Sequence, residues 1–280
     1  MLKPDLSQWV GREDAIEGGI SADQAAAAHA TLATDQSPAP QPGDAAPHLW
    51  HWTAFNHSPP MEALSQDGHP KRGGFLPPVN HPRRMWAGGD VQFHGPIHVG
   101  ATLRKVSTIA AVDEKSDALT FVKVTHQIFE DDRLAVTESQ DIVYLDIPDT
   151  FTPPKAKPAP TQTVFETPVD MSTAMLFRYS AITFNAHRIH YDLPYAQSVE
   201  KYPGLVVHGP LQATLLLGAA VRHAGRDPAR FTYRGVHPMF HDHALTLLGH
   251  DEEPDRMRLC TAVPGAHQGM QATVIWKDLV

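Results

Sequence analysis

A short stretch in the second half of the chain, "FNAHRIHYD" (Phe184 to Asp192), gathers several groups that could carry chemistry. It sets His187 and His190 three residues apart, with Asn185 before them and Asp192 after them. Histidine exchanges protons near neutral pH and is also the commonest metal ligand, so an acid–base site and a ligand cluster are both open. From residue type alone, Asn185 and Asp192 are also typical of helix caps, and His190 of a hydrogen-bonded core residue.

A second stretch, "VVHGPLQATLLLGAAVRHAG" (206–225), predicts a long apolar helix whose N-terminus could bind negative charge. Pro210 suits the first helical turn, and Gly225 is a typical end for the helix. The backbone N–H of Gly209 would lie at the helix start, where the peptide dipoles favour an anion. The two stretches together supply a proton-transfer group and a donor for developing negative charge.

The remaining sequence predicts the elements that must hold these stretches. Ser172 is a suitable N-cap for a shorter helix, which we expect to end near Asn185 in the left-handed conformation. Alternating, β-branched sequences between residues 91 and 147 predict antiparallel strands, with "EDDR" (130–133) as a hairpin turn. Residues 231–279 repeat the order of strand, break, strand, turn and strand, which indicates a duplicated fold.

Proline-rich breaks divide the chain into four predicted parts. Ser21 can cap a helix in the first part, and "QSPAPQPGDAAP" then ends it. A second break, "IPDTFTPPKAKPAPTQT", is typical of an extended connector. The predicted parts are an N-terminal helical arm (1–46), a first globular half (47–147), a Pro-rich linker (148–163) and a second globular half (164–280).

Composition limits the class of protein. The chain has 280 residues, 42% of them hydrophobic, and a formal net charge of −8, so neither disorder nor nucleic-acid binding is expected. The most apolar segment (205–221) is interrupted and too short to span a membrane. With one cysteine, Cys260, and charges where a signal peptide needs an apolar run, the sequence predicts a cytoplasmic protein.

Longer motifs around the same residues carry a family resemblance. "FRYSAITFNAHRIHYD" (177–192) and "YPGLVVHGPLQATLL" (202–216) resemble the MaoC-like hotdog hydratases and dehydratases. "GGFLPP" (73–78) and "HPRRMWAGG" (81–89) extend the resemblance to the first half. The match is to a double-hotdog branch that includes mesaconyl-C4-CoA and itaconyl-CoA hydratases and mitochondrial 3-hydroxyacyl thioester dehydratases.

The resemblance implies an α+β double hotdog, with two antiparallel sheets each wrapped on a central helix and a degenerate first half. It implies a hydro-lyase acting on an acyl-CoA thioester without a cofactor, as a monomer or homodimer. His190 would move the protons, Gly209 would stabilise the oxyanion, and Asn185, standing where the wider family has aspartate, would orient water or substrate. Six further residues are candidates for substrate binding: Arg83, Arg84, Arg178, His187, Arg188 and His208.

Three alternatives stay open. The substrate could be a branched C5 dicarboxylyl-CoA, or instead a 3-hydroxyacyl thioester of fatty acid metabolism carried on CoA or acyl carrier protein. A non-catalytic acyl-CoA binding module could use the same fold. "HPMFHDH" (237–243) could also serve a metal-dependent hydrolase, with His241 and His243 on one face if the segment is a strand.

Overall fold

A computed structural model describes residues 4–33 and 35–278, and within them ten strands form one continuous antiparallel sheet. The strand order is β1-β3-β4-β5-β2-β7-β10-β9-β8-β6. The strands of the first half are β1 (Glu13–Gly18), β2 (Arg83–Phe93), β3 (Leu103–Ser116), β4 (Leu119–Glu130) and β5 (Arg133–Leu145). Those of the second half are β6 (Phe165–Val169), β7 (Pro228–Gly235), β8 (Leu245–Glu252), β9 (Arg256–Ala262) and β10 (Gln268–Trp276).

The described residues also form four α-helices, and the first three along the chain begin at a residue whose side chain caps the helix. They are α1 (Ala22–Leu32), α2 (Thr173–Ile182), α3 (Leu193–Ser198) and α4 (Gly209–Ala224). Ser21 makes a capping box with Gln24 at the start of α1, and Ser172 accepts from the Met175 N–H at the start of α2. Gly225 ends α4 in the left-handed conformation that a glycine adopts without strain. None of these helices is both long and apolar enough to cross a membrane.

The two halves repeat one order of elements and meet at the centre of the sheet. Each half runs strand, helix and then four strands, and its first strand pairs with its third: β1 with β3, and β6 with β8. The halves join where β2 pairs with β7, with Gly88 opposite Arg234 and Gln92 opposite Arg230. Helix α4 lies against β7 to β10 and β2, so one long helix reaches the seam between the halves.

The first half lacks a counterpart of α4. In its place a short 3-10 turn, Trp50–Thr53, and irregular chain lead to β2. Glu138 on β5 binds this turn to the sheet, because its buried carboxylate accepts from His51 Nε2 at 2.9 Å and from the Trp52 indole N–H. A buried carboxylate requires such partners, so a polar anchor holds the segment that replaces the helix.

The predicted helical arm (1–46) needs correction. Residues 13–18 form strand β1, which pairs with β3 over its whole length, so this segment belongs to the sheet of the first half. Edge position explains why the strand was missed: β1 is mostly exposed, and its sequence EDAIEG lacks a clear apolar alternation. Residues 1–3 of the predicted arm and residues 279–280 of the second half lie outside the described residues.

The core is continuous across the seam. Helix α4 is apolar on most of its circumference, as expected for a buried helix, and Leu211, Leu216 and Leu217 are fully buried. These side chains share one cluster with Phe231 and Val274 of the second half, and with Val91, Leu103 and Val136 of the first. The α+β class predicted from the sequence is therefore confirmed, with the two sheet halves fused edge to edge.

Candidate active site

His190 is held as a neutral base at the end of the 3-10 turn Arg188–His190. Its side chain is buried, and Nδ1 lies 2.7 Å from the carbonyl oxygen of Val206. A carbonyl only accepts, so Nδ1 carries the proton and the lone pair is on Nε2. Burial lowers the pKa of His190 to about 4, although the bond to Val206 opposes this shift. At neutral pH the ring can therefore accept a proton.

The N-terminus of α4 lies directly beside this base. His208, the residue before α4, stacks on His190 with the ring centroids 3.6 Å apart. Its Nε2 lies 2.9 Å from the Ser180 hydroxyl, which fixes the imidazole against α2. Gly209 follows as the first residue of the helix, where backbone N–H groups have no partner within the helix and the dipole favours negative charge. A proton acceptor and an anion-stabilising donor thus share one site.

Asn185 begins the loop that carries His190, but it is not the left-handed residue that closes α2. The helix ends at Ile182, and Phe184 takes the left-handed conformation with φ of 49°. The Asn185 N–H then bonds the Ser180 carbonyl and the Phe184 N–H bonds the Ala181 carbonyl, which is the pattern of a Schellman motif. The expected position of the cap was wrong by one residue, since hydrogen-bond closure here outweighs the preference of asparagine for that conformation.

The Asn185 side chain uses its oxygen to hold the loop, whereas its amide nitrogen remains available for a ligand. Its Oδ1 accepts from the His187 backbone N–H at 3.0 Å, which forms an Asx turn and shapes the loop. The amide nitrogen of Asn185 still offers two donors. An amide in this position can orient water or a carbonyl oxygen but cannot act as a base.

A second group of polar residues packs against this loop from the first half of the chain. His69 Nδ1 donates to Asp67 Oδ2 at 2.9 Å, and the His69 ring lies 4.1 Å from the ring of His187. The His187 ring in turn meets His190 edge to face at 5.3 Å. Burial and the charges of His69, His190 and Arg84 hold the pKa of His187 well below its ordinary value. His187 is therefore neutral.

Asp67, His69 and His187 could be read as metal ligands, because one ligand atom from each lies within 4.8 Å of the others. Two features weigh against a cation there. The Asp67 carboxylate already accepts from His69, and the positive charge of Arg84 acts on all three residues. A divalent cation would be repelled by that arginine, whereas an anion would be attracted. The positive charge of Arg84 and the bond between Asp67 and His69 therefore make this group a poor site for a divalent cation.

Gly68 allows the Asp67–His69 turn to approach the loop that carries His190. Its φ is 89°, and a Cβ at this position would overlap the Ala186 carbonyl oxygen. Gly43 has a similar φ of 92° with nothing within 4 Å of a Cβ. Gly68→Ala is expected to lower the free energy of unfolding by about 3 kcal/mol or more, and Gly43→Ala by about 1–2 kcal/mol, in urea titrations. Equal losses would show that the turn can move away from Ala186 at no cost.

The four candidate arginines occupy different environments. Arg83 is buried, donates to Glu200 Oε2 at 2.7 Å and lies over the Tyr202 ring, so it is committed to a structural ion pair. This corrects the expectation that it contacts a CoA phosphate. Arg178 is exposed and bonds the Ala30 carbonyl of α1, which places it outside the histidine group.

Arg188 and Arg84 lie closer to the site. Arg188 binds Asp192 through Nε and Nη2 and donates to the Gln66 carbonyl, so it ties the loop that carries His190 to the first half. Asp192 also caps α3 as the sequence suggests, by accepting from the Tyr195 N–H. Arg84 is half-buried, and its charge lowers the pKa of both His69 and His187. Of the four arginines, Arg84 is thus the one whose charge reaches the histidine group without a carboxylate bound to it among the described residues.

The alternative metal cluster at residues 237–243 does not have the predicted geometry. The segment is a loop between β7 and β8 rather than a strand, so His241 and His243 do not share a strand face. His237 and His243 instead lie near His267, with ring centroids 3.9 Å and 6.2 Å from it. These three rings lie on segments other than the His190 loop. Among the described residues, none of them makes a ring contact with His190.

Sequence reasoning missed the contribution of the first half to this site. Asp67, Gly68 and His69 form "DGH", which signals a turn but says nothing about where that turn docks. Val206 acts through its carbonyl oxygen, a group that every residue possesses. Tyr144 lies opposite Arg84 on β5. The sequence does not indicate this position, because Tyr144 fits the pattern of an ordinary strand residue.

Comparison with solved structures identifies the fold. The structure aligns with a MaoC-like dehydratase from Phytophthora capsici over 98% of both chains, with a TM-score of 0.74 and 12% identity. HtdX from Mycobacterium tuberculosis aligns over 94% of this chain and 99% of its own, with a TM-score of 0.69 and 16% identity. The double-hotdog fold is therefore confirmed.

Sequence comparison gives the family. The family model for hydroxyacyl-thioester dehydratase type 2 matches residues 49–241, and the chain belongs to this family of hydro-lyases. A mesaconyl-C(4)-CoA hydratase from Chloroflexus aurantiacus is 42% identical over 98% of this chain and 99% of its own length. The mitochondrial hydroxyacyl-thioester dehydratase type 2 of Schizosaccharomyces pombe is 28% identical over 71% of this chain and 75% of its own.

Proposed function

We propose that the protein reversibly adds water to an enoyl-CoA thioester with a branched C5 dicarboxylyl acyl group: the 2-enoyl thioester mesaconyl-C4-CoA, or itaconyl-CoA, in which the double bond joins the β and γ carbons. The observation that carries the proposal is the neutral Nε2 of His190 beside the N-terminus of α4. The 42% identity to a mesaconyl-C(4)-CoA hydratase over nearly the whole chain supports this substrate class. Water is the only co-reactant, so the reaction needs no cofactor.

In the hydration direction, His190 first acts as a base. Its Nε2 takes a proton from water as the water oxygen forms a bond to the β carbon of the enoyl group. The electron pair of the double bond moves towards the thioester, and the thioester oxygen gains negative charge. The bond from Nδ1 to the Val206 carbonyl fixes the tautomer and the ring orientation throughout this step, and it stabilises the imidazolium that forms.

Gly209 supports the charge that develops on the thioester oxygen. Its N–H at the first turn of α4 can donate to this oxygen, and the helix dipole adds to the stabilisation. The imidazolium of His190 then returns its proton to the α carbon, which restores the neutral ring and completes the hydration. Dehydration runs through the same steps in reverse.

The remaining groups position the reactants. The amide nitrogen of Asn185 is free to orient the water or the thioester, because Oδ1 is already bonded to the backbone of His187. His208 keeps its ring parallel to His190 and so limits how that base can move. A surface cleft of about 570 Å³, lined by Gln66, Asp67, Lys71 and Arg72 among others, adjoins the site through Asp67. We assign this cleft to the CoA moiety, whose phosphates suit its basic side chains.

Other properties follow from the same proposal. A CoA-dependent hydratase with this composition would act in the cytoplasm. Both halves of the sheet are present in one chain, so a monomer can complete the site and a homodimer is equally compatible. The degenerate first half would then close the channel around the acyl group.

The test is a turnover assay with mesaconyl-C4-CoA, crotonyl-CoA and a longer 2-enoyl-CoA, each followed at the enoyl-thioester absorbance, and with itaconyl-CoA, whose double bond is not conjugated to the thioester and whose product is followed by chromatography. We expect rapid turnover of the dicarboxylyl thioesters and much slower turnover of the other two. Preferential turnover of the longer chain would instead support a dehydratase of fatty acid metabolism. Binding of all four without turnover would support a non-catalytic acyl-CoA binding module.

A further inference from the structure

Arg84 is a half-buried cation that makes no salt bridge in the described part of the chain, although its charge acts on the Asp67 carboxylate, which is itself bonded to His69. It lies on β2 next to Arg83, and the two side chains point to opposite faces of the strand. Arg83 is paired with Glu200, but no acidic side chain of residues 4–33 and 35–278 lies within 4.0 Å of the Arg84 guanidinium. A partly buried charge of this kind is costly unless something pairs with it.

Two buried polar atoms lie near Arg84. His187 Nε2 makes no hydrogen bond to any described residue, and the Tyr144 hydroxyl has the Arg84 guanidinium as a polar neighbour; the exposures of the two residues are 5% and 0%. Tyr144 stands directly opposite Arg84 in the pairing of β2 with β5. The charge of Arg84 also acts on His187 and lowers its pKa. Buried polar groups normally find partners, so a guanidinium, a hydroxyl and an imidazole nitrogen together describe a place for a polar ligand.

The location of this group relative to His190 limits what the ligand can be. The His187 ring is 5.3 Å from the His190 ring, so the group borders the point where water is added. In mesaconyl-C4-CoA the free carboxylate is attached to the β carbon, about 1.5 Å from the carbon that water attacks. A side chain that binds this carboxylate must therefore lie near the base and not at the far end of a long tunnel. Arg84 meets this condition through His187, on which its charge acts and whose ring contacts that of His190.

We propose that Arg84 binds the carboxylate on the β carbon of the substrate, with Tyr144 and His187 as additional hydrogen-bond donors. This inference rests on the proposed hydratase function and deepens it by naming the group that selects a dicarboxylyl substrate. A guanidinium suits the role because its planar fork can donate two parallel hydrogen bonds to a carboxylate. Arg83 and Arg188 are bound to Glu200 and Asp192, so neither is available for the same task.

The experiment compares Arg84→Gln, Arg84→Lys and a surface control, Arg104→Gln, on two thioesters. Mesaconyl-C4-CoA carries the carboxylate, whereas crotonyl-CoA lacks it. Arg104 is exposed on β3 and stacks on Phe129, away from the histidine group. We expect Arg84→Gln to lower kcat/KM for mesaconyl-C4-CoA by about 10- to 100-fold, mainly through KM, and to change crotonyl-CoA by no more than about 2-fold. Arg84→Lys should lie between, and Arg104→Gln should match the wild type.

A binding measurement keeps the inference separate from the proposed reaction. In the His190→Ala background, the Kd for mesaconyl-C4-CoA should rise about 10- to 100-fold on adding Arg84→Gln, with little change for crotonyl-CoA. If the wild type turns over neither thioester, the proposed reaction fails, and this binding comparison still decides the role of Arg84. Equal losses for both thioesters in Arg84→Gln and Arg84→Lys, or no loss for either, would overturn the carboxylate site.

Discussion

Replacing His190 with alanine is expected to lower kcat for hydration by about 10³- to 10⁴-fold, the upper part of the range for a positioned acid–base group. The expected effect is large because, in the proposed mechanism, His190 performs both proton transfers, first from water and then to the α carbon. Asn185 cannot replace it, since an amide has no basic lone pair at neutral pH. The nearest rings are those of His187, which packs against His69, and His208, which is bonded to Ser180 through Nε2, and neither has a role in proton transfer in the proposed mechanism.

Stopped-flow or steady-state absorbance measurements on saturating thioester would give kcat, and a titration with the same thioester would give Kd. His94→Ala is a suitable control, because His94 is exposed on the first half and bonds only Thr137 among the described side chains. His190→Asn is a second variant in case alanine leaves a destabilising cavity, since its amide can still donate to Val206. Retained binding with lost turnover supports the enzyme, whereas near wild-type kcat in both variants would remove His190 from the acid–base role.

Local sequence signals predicted the elements of this protein that depend on near neighbours. The start of α2 at Ser172 and the span of α4 between Gly209 and Gly225 followed from capping residues and apolar periodicity. The hairpin at 130–133 followed from its turn residues. These features are set by contacts within a few residues, so one sequence is enough to find them.

The features that sequence reasoning missed depend on distant contacts. Arg83 and Glu200 are separated by 117 positions, and their ion pair could not be read from "HPRR". The turn at Asp67 meets the loop of His187 through Gly68, which is recognisable only when both segments are in place. The sequence of β1 alone predicts no strand, because its extended conformation depends on pairing with β3, which is distant in sequence.

The chain also shows how a duplicated fold can hold one site. The second half keeps the long helix whose N-terminus faces His190, and the first half replaces that helix with the turn Trp50–Thr53, anchored by Glu138. Strand β2 borders the seam. It brings the charge of Arg84 to the loop of His187, and it brings the Trp86 carbonyl close to Gly209 at the start of α4. Loss of the first-half helix is therefore compatible with a role for that half in substrate selection.

Removing the Gly209 N–H is expected to lower kcat by about 10²- to 10³-fold, because it removes a donor to the oxyanion and leaves His190 untouched. Gly209→Pro does this with little change of backbone. The preceding residue, His208, has φ of −57° and ψ of 133°, which a following proline tolerates, and proline suits the first turn of a helix.

Gly209→Ala is the matched control for that variant. It keeps the N–H, and its Cβ would meet only the Trp86 carbonyl oxygen at 3.7 Å, an ordinary contact. Both variants share the restriction that Pro210 places on the residue before it, so the difference in kcat between them isolates the N–H. Melting temperatures would verify that both fold. A similar loss in the two variants would point to steric exclusion of substrate, and an unchanged kcat in Gly209→Pro would mean that the thioester oxygen is stabilised by a different donor.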